Sequence, residues 1–316
     1  MTQIATRPDT APAVVQGVTE LDDRETRFQR RMVLIVTVLP FAGFVAAVAS
    51  LWGTGLTLLD AALFFSFYCF SGLGVTVGYH RLLTHGSFDG PTWIRAAFAI
   101  SGSMALQGSV ISWVAAHRRH HAYSDREGDP HSPHLDEGEG LGGVLRGLWH
   151  AHMGWLFSPE TTSLERWAPD LMKDPVIRRI DSLFPLWSFL TLALPAAIGF
   201  AVTGTPWGAV TAFLWGSLAR ITFLHHVTWS VNSVCHFYGK RPFASRDFST
   251  NNWLLALVSF GESWHNNHHA FPTAARHGIL KGQFDSSALV IRGLQRLGLA
   301  RDVKMPNEKQ LAAKRM

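Results

Sequence analysis

Cysteine is nearly absent from this chain of 316 residues, which has only Cys69 and Cys235, in different regions. A disulfide framework and a thiolate metal cluster both need more cysteines than that, so any metal chemistry must use other ligands. The net charge of +5 is not accompanied by a basic stripe interleaved with aromatic residues. Basic residues instead flank apolar blocks, which disfavours nucleic acid and favours contact with anionic lipid headgroups.

Charge is also missing from long stretches of the chain. No charged residue occurs from Met32 to Trp52 or from Ala61 to Tyr79, and two further apolar blocks follow near residues 183–229. At ~1.5 Å per helical residue, each block can cross a hydrocarbon layer of ~30 Å. The sequence therefore predicts an all-α integral membrane protein with four transmembrane helices in two hairpins, at about residues 32–52, 61–79, 184–204 and 207–228.

Lysine and arginine are absent from both predicted outer turns, 52–55 and 203–206. Apart from Arg95 and Arg220, the basic residues fall on the other side, which the positive-inside rule assigns to the cytoplasm. We therefore expect both termini and a helical cap in the cytoplasm. Residues 1–29 are expected to form a disordered tail, 30–300 a single membrane domain and 301–316 a polar, flexible C-terminal tail.

A fifth apolar block, Ala96–Ala116, is long enough to span but is not predicted to do so. It is rich in small and polar residues, and a crossing there would place the histidines at His80 and after His117 on opposite sides of the membrane. A buried or interfacial helix is expected instead.

Histidine is abundant where cysteine is not. Eight of the 16 histidines lie in three clusters, HRLLTH, HRRHH and HNNHH, which comprise His80, His85, His117, His120, His121, His265, His268 and His269. Positions i, i+3 and i+4 share one helix face, so each HxxHH triplet is predicted to point three imidazoles in one direction. Positions five apart diverge by roughly 140° on an α-helix, so His80 is expected at a helix end and His85 beyond it.

These clusters predict a metal centre, because imidazole is a common ligand of transition metals. A single zinc ion needs about four ligands, so eight histidines indicate two ions. A site with many nitrogen ligands and few carboxylates suits iron better than magnesium or calcium. A haem cytochrome remains an alternative, although haem would not require adjacent histidine pairs. A membrane zinc or haem protein without oxidase activity is the corresponding function from another class.

The three boxes, in this order around two hydrophobic hairpins, resemble the membrane fatty acyl desaturases of the stearoyl-CoA desaturase type over about residues 30–280. Shorter segments carry the same resemblance: Gly78-Tyr79-His80, Asp129-Pro130-His131, His152-Met153-Gly154-Trp155-Leu156, Gly261-Glu262-Ser263-Trp264-His265 and Ala270-Phe271-Pro272. The resemblance implies a di-iron centre that uses O₂ and two external electrons to desaturate a long-chain acyl substrate.

The resemblance also implies roles for residues outside the boxes. His236 would be a ninth ligand, Asn232 would reach the metal through water, and Gln107, Trp113 and Trp229 would line the substrate path. Asp125, Asp129 and Glu262 lie close to ligands and are candidates to accept the second N–H of a histidine. The remaining histidines match no ligand position and are expected to be structural or supporting: His131, His134, His150, His152, His225, His226 and His277.

The substrate carrier is less well defined than the reaction. An acyl-CoA substrate desaturated at Δ9 is the expectation from the resemblance, but Ala115-Ala116 and Ser158-Pro159-Glu160 replace residues that contact CoA in the animal enzymes. An acyl-lipid or another carrier is therefore open. No HPGG haem motif occurs, so we expect a separate donor, a ferredoxin or a flavin or iron–sulfur reductase. A di-iron lipid or alkane hydroxylase is the alternative reaction.

Overall fold

The computed structural model describes residues 15–53, 55–135, 138 and 140–316. It is mostly helical, with one antiparallel pair of short strands, β1 (Val18–Glu20) and β2 (Glu160–Thr162). Part of the predicted N-terminal tail lies outside the described residues. The expectation of disorder is wrong for the rest of it, because β1 is paired and helix α1 begins at Asp23 behind an Asp22–Glu25 capping box.

Four helices are long and apolar enough to cross a membrane, at Asp23–Ser50, Leu58–Thr84, Phe184–Thr203 and Pro206–His236. They coincide with the four predicted blocks, so that prediction is confirmed by length and composition. The first is α1. The second is α2 (Leu58–Leu73) continued by a π-helical segment, Gly74–Thr84.

The third spanning helix is α9 (Phe184–Thr203), and the fourth is built from several pieces. It comprises α10 (Pro206–Ala212), a second π-helical segment (Phe213–Ala219), α11 (Arg220–Ser233) and a 3₁₀ turn (Val234–His236). Gly204, at φ +67°, ends α9, and Thr205 caps α10, which produces a tight hairpin. The second and fourth spanning helices therefore end on the same side of the bundle.

The block Ala96–Ala116 does not form a spanning helix, which agrees with the prediction. It is also not one continuous helix, which differs from the prediction. It is split between α3 (Thr92–Ser103) and α4 (Val110–Tyr123). The break contains Leu106 at φ +58° and Gly108 at φ +109°. The fully buried Arg220 donates to the carbonyl of Met104 at the end of α3, which holds the break against the bundle.

The remaining helices form a cap over the end of the bundle that carries the histidines; we define the cap as residues 85–135, 138, 140–182 and 237–316. They are α5 (Gly140–His152), a 3₁₀ turn (Gly154–Phe157), α6 (Leu164–Trp167), α7 (Pro169–Lys173), α8 (Pro175–Ser182), α12 (His265–Ala270), α13 (Ser286–Arg296) and α14 (Glu308–Lys314). The largest buried apolar cluster packs the first π-helical segment and α3 against α4, α8 and α13.

The C-terminal segment, residues 301–316, is not the free tail that we expected. The backbones of Arg301 and Asp89 exchange two N–H···O=C hydrogen bonds of 2.8 Å, and the Lys304 ammonium donates to the carbonyl of Gly86 at 2.7 Å. Farther on, the N–H of Ala244 donates to the carbonyl of Lys314 at 2.7 Å. The segment is therefore tied along the cap.

Candidate metal centre

The three histidine boxes and His236 meet where the bundle joins the cap. The first box ends the second spanning helix, the second box ends α4, the third box begins α12, and His236 ends the fourth spanning helix. His80, His120, His236, His265 and His268 are almost completely buried. Four separate elements thus bring distant parts of the chain to one place.

The first box is accommodated by the π-helix rather than by an α-helix end. His80 lies inside the Gly74–Thr84 segment, and the N–H of His85 donates to the carbonyl of His80 at 3.1 Å. The prediction that His80 ends its helix is therefore wrong, whereas His85 does follow the helix end. Because the π-helical hydrogen bond joins residues i and i+5, it brings the two rings onto one side, with centroids 4.8 Å apart.

The nine histidines fall into two groups. The five-histidine group consists of His80, His85, His117, His121 and His268. The four-histidine group consists of His120, His236, His265 and His269. Within each group, one ring nitrogen per residue lies within 4.8 Å of all the others. Each group could therefore hold one metal ion.

Each HxxHH triplet is divided between the two groups, which corrects the prediction that its three imidazoles point one way. His117 and His121, four residues apart, stay together, whereas His120 joins the other group. The third box behaves in the same manner: His265 and His269 stay together and His268 crosses over. Neighbouring residues are about 100° apart on an α-helix, so an adjacent histidine pair can face two different ions.

The spacing of the nitrogens tests which kind of ion would fit. In the five-histidine group, the Nε2 atom of His268 lies 3.0 Å from that of His80 and 2.9 Å from that of His121. In the four-histidine group, the His265 Nε2 lies 3.0 Å from His236 Nε2 and 3.1 Å from His269 Nε2. Ligands ~2.1 Å from a metal are about 3.0 Å apart at right angles and about 3.4 Å apart in a tetrahedron. The nitrogens of each group are therefore close enough to share one ion, and five imidazoles exceed the four ligands of tetrahedral zinc.

Two nitrogens point into the groups without any hydrogen-bond partner. The Nε2 atoms of His85 and His120 are buried and unpaired among the residues that the structure describes. Leaving a buried polar atom unsatisfied costs about 1–3 kcal/mol. A bound ion in each group would remove that cost, so the residues present fit a metal.

Four carboxylates hold the second ring nitrogen of four histidines. The candidates from the sequence all do so: Glu262 is 2.5 Å from His80 Nδ1, Asp129 is 2.9 Å from His120 Nδ1, and Asp125 is 2.8 Å from His236 Nδ1. Asp247, 2.6 Å from His269 Nδ1, was missed. It lies 22 residues before its partner, and no spacing pattern marks it.

Burial and these carboxylates set the protonation of the site. Burial lowers the pKa of His117, His121, His265 and His268 well below the ordinary value, so these imidazoles stay neutral at pH 7. Burial acts to raise the pKa of Asp125, but the hydrogen bond and electrostatic attraction of His236, together with hydrogen bonds from the Phe248 N–H and the Ser132 hydroxyl, outweigh it, and the pKa falls to about 2. Neutral imidazoles beside ionised carboxylates are what metal binding requires.

A buried charge network that the sequence did not reveal supports His80. Arg81 is fully buried and lies 3.2 Å from Glu262 Oε1 and 3.3 Å from Asp285 Oδ2. Its Nε atom donates to His277 Nε2 at 3.3 Å. Arg81 therefore fixes the carboxylate that holds His80, which gives His277 a supporting place near the five-histidine group.

A narrow, largely apolar cavity reaches both groups from the bundle side. Its lining includes Gly72, Val75, Leu224, Val227, Val231, Phe260 and the three histidines His80, His117 and His265. Trp113 and Asn232 also line it. Gln107 contacts it indirectly by donating to Thr228 at 2.9 Å. Trp229 does not line this cavity; its ring contacts His152, His225 and His226.

An open basin of about 730 Å³, with several charged residues in its lining, reaches the groups from the cap side. We define it by its lining residues, which are His85, Arg118, His121, Ala122, Ser124, Arg126, Ala244, Ser245, Arg246, Asp247, His269, Pro272 and Lys314. The first histidine of every box lines the cavity, and the last histidine of every box lines the basin.

The other unassigned histidines lie around the two groups. The His131 ring is 4.3 Å from the His120 ring, and His134 Nε2 contacts the carbonyl of His236 at 2.6 Å. His225 Nε2 contacts the carbonyl of Ala105 at 3.0 Å. His152 and His226 face each other across α5 and α11, with ring nitrogens 3.0 Å apart. His134, His152, His225 and His226 belong to neither the five-histidine group nor the four-histidine group.

Comparison with known proteins gives a consistent result. A family profile described as fatty acid desaturase matches residues 56–279. The chain is 41% identical over 289 residues to a hex-5-enoyl-[acyl-carrier protein] acetylenase of Moorena producens (91% of this chain, 90% of that protein). It is 39% identical over 241 residues to an sn-1 stearoyl-lipid 9-desaturase of Anabaena variabilis (76% and 81%). It is 41% identical over 249 residues to an acyl-CoA C20 Delta5-desaturase of Anemone leveillei (77% and 73%).

Proposed function

Because the chain belongs to the fatty acid desaturase family, we propose that it uses O₂ to insert a double bond into a fatty acyl chain at a di-iron centre. The observation that carries the proposal is the division of nine histidines into two metal-sized groups at the end of an apolar cavity. Its relatives are oxidoreductases, and a group of five imidazoles, which exceeds the four ligands of tetrahedral zinc, supports iron over zinc.

The proposed reaction balances with an external reductant. One O₂, two electrons and two protons are consumed, two hydrogens leave adjacent methylenes, and two waters form with one C=C bond. Unactivated methylene C–H bonds offer no acid–base handle, so bound iron would supply the oxidising chemistry. His80, His85, His117, His121 and His268 would hold one ion, and His120, His236, His265 and His269 the other. Asn232 would contact the second ion through water.

The chain's own residues would position the acyl substrate and exclude bulk water. Val75, Leu224, Val227 and Val231 give the cavity an apolar wall, which favours an acyl chain over water. Trp113 stacks on His117, with ring centroids 5.0 Å apart. Trp113 thereby fixes a ligand ring and forms part of the wall at once.

The acyl carrier and the Δ9 position remain hypotheses. The three relatives carry the acyl chain on acyl carrier protein, lipid and CoA respectively, so family membership does not choose among them. Ala115 is completely buried, and Glu160 lies 3.1 Å from Arg119. Neither position therefore offers a cation to a CoA phosphate, which favours a carrier other than CoA.

The proposed location is the cell membrane, with both termini and the metal centre on the cytoplasmic side. Four spanning helices and two short outer turns without lysine or arginine support this orientation. The electrons would come from a separate protein such as a ferredoxin or a flavin or iron–sulfur reductase.

The test is fatty acid methyl ester analysis in a host that lacks its own desaturase. We expect a new monounsaturated peak with the wild type and none with His120→Ala or His268→Ala. His226→Ala, which alters a histidine outside both groups, is the matched control and should keep the peak. Derivatisation of the double bond then gives its position. Oxygenated lipids in place of alkenes would show a hydroxylase instead.

A further inference from the structure

We propose that the basin is the docking surface for an acidic electron-transfer protein, which delivers electrons through His85, His121 and His269, the three histidines that line it. This inference rests on the proposed function, because it names the partner of the same metal centre.

The basin and the acyl cavity are separate openings to the two histidine groups. The basin and the acyl cavity share no lining residue, yet each is lined by one histidine from every box. In the second and third boxes, the two lining histidines are one α-helical turn apart, which is ~5.4 Å. The two histidine groups thus lie between the acyl cavity and the basin. The acyl chain would reach them from the cavity, and a different reactant would reach them from the basin.

The basin also lies against ligands of both groups. His85 and His121 belong to the five-histidine group and His269 to the four-histidine group, and all three line the basin. His85 and His121 are partly exposed, whereas the His269 side chain is only 1% exposed. A redox protein seated over the basin would therefore bring its own cofactor close to both groups.

The charged residues that line the basin are mostly basic. Arg118, Arg126, Arg246 and Lys314 line the basin, and Asp247 is its one lining carboxylate. Asp247 is already engaged by His269 and by Ser249. Arg118 is paired with Asp170, but among the residues that the structure describes no carboxylate pairs with Arg126, Arg246 or Lys314. Such a surface attracts an acidic partner and speeds its association.

The acyl carrier is a poorer occupant of the basin, even where the carrier is acidic. A carrier must stay attached to a chain that lies in the cavity, and the two openings do not join in the described residues. A reductant has no such constraint. Each turnover oxidises two one-electron donors, and the two electrons with two protons complete the reduction of O₂ to two waters.

The experiment compares two charge-reversal variants of the full-length enzyme in detergent or nanodiscs, with an acidic [2Fe–2S] ferredoxin as donor. Arg126→Glu/Lys314→Glu changes two exposed residues of the basin, and Arg178→Glu/Lys281→Glu changes two exposed residues outside it. The iron content and the rate with dithionite normalise the comparison. If the first variant folds poorly, Arg126→Gln/Lys314→Gln replaces it.

We expect the basin variant to raise the KM for ferredoxin roughly tenfold or more, and to weaken ferredoxin binding by the same factor, while the control variant does neither. A water-soluble carbodiimide should join Lys314 of the wild type to a ferredoxin carboxylate. Equal KM and binding for both variants would overturn the proposal. So would a higher KM for the acyl substrate in the basin variant, because that result would place the carrier there.

Failure of the docking proposal can be told apart from failure of the proposed function. If the wild type makes no product even with dithionite, desaturation is contradicted. Ferredoxin binding and the Lys314 cross-link would still be measurable in that case, and their presence or absence decides the docking surface on its own.

Discussion

The two histidine groups differ in the charge that surrounds them. Among the residues that the structure describes, only His80 of the five-histidine group is held by a carboxylate, Glu262, and Arg81 shares that carboxylate. In the four-histidine group, three of the four histidines are held, by Asp129, Asp125 and Asp247. The group with fewer ligands thus has more anionic support.

Ligand number alone therefore does not describe these sites. A carboxylate that accepts a histidine N–H makes that imidazole a stronger donor to a metal. The four-histidine group compensates for its missing fifth ligand in this way. We therefore expect its ion to be bound more tightly and to favour the more highly charged state.

The largest effect should come from removing the metals. Binding to the folded state alone contributes about 4 kcal/mol per ion at a thousandfold excess over Kd. Treatment with a strong chelator should therefore lower the melting temperature sharply, and added Fe²⁺ should restore it. Metal analysis during stepwise chelation should show one ion leaving before the other. Simultaneous loss of both ions would contradict the proposed difference between the groups.

Neutralising Asp285 should have the next largest effect, on the five-histidine side. Asp285→Asn keeps an oxygen for the N-terminus of α13 but removes a charge from the fully buried Arg81. Breaking a buried ion pair costs about 3–5 kcal/mol. Thermal unfolding of Asp170→Asn, which affects the partly exposed Arg118 pair, gives the control, with at most about 1 kcal/mol expected. Equal shifts in the two variants would argue against the buried network.

Neutralising one carboxylate beside each histidine group should separate the metal affinities of the two groups. Asp129→Asn should weaken metal binding in the four-histidine group, and Glu262→Gln in the five-histidine group, each by about 10–100-fold. Iron titration followed by spectroscopy should show the loss of one ion in each variant, and a different one. If both variants lose the same ion, the assignment of carboxylates to groups is wrong.

The smallest effect should come from Ser132, which contacts a carboxylate rather than a histidine of either group. The hydroxyl of Ser132 donates to Asp125 Oδ1 at 2.7 Å, and Asp125 holds His236. Ser132→Ala should weaken only the four-histidine group, by about 1 kcal/mol or roughly fivefold in affinity. Ser230→Ala, whose hydroxyl bonds its own helix, should change nothing measurable in the same titration.

What could be predicted from the sequence depended on how local the signal was. The spanning helices follow from uninterrupted apolar runs, and the boxes follow from clustered imidazoles. The π-helix at His80 could not be read, because the same residues also suit an α-helix. Asp247 and the pairing of Arg81 with Asp285 join residues that are distant along the chain. The C-terminal segment is ordered by contacts with the cap rather than by its own composition.

The metal content of the purified, active enzyme, measured by inductively coupled plasma mass spectrometry, tests most directly whether each histidine group holds one ion. We expect two iron ions per chain, one for each histidine group. One ion per chain in fully active enzyme, or activity in protein that contains no iron, would contradict that expectation.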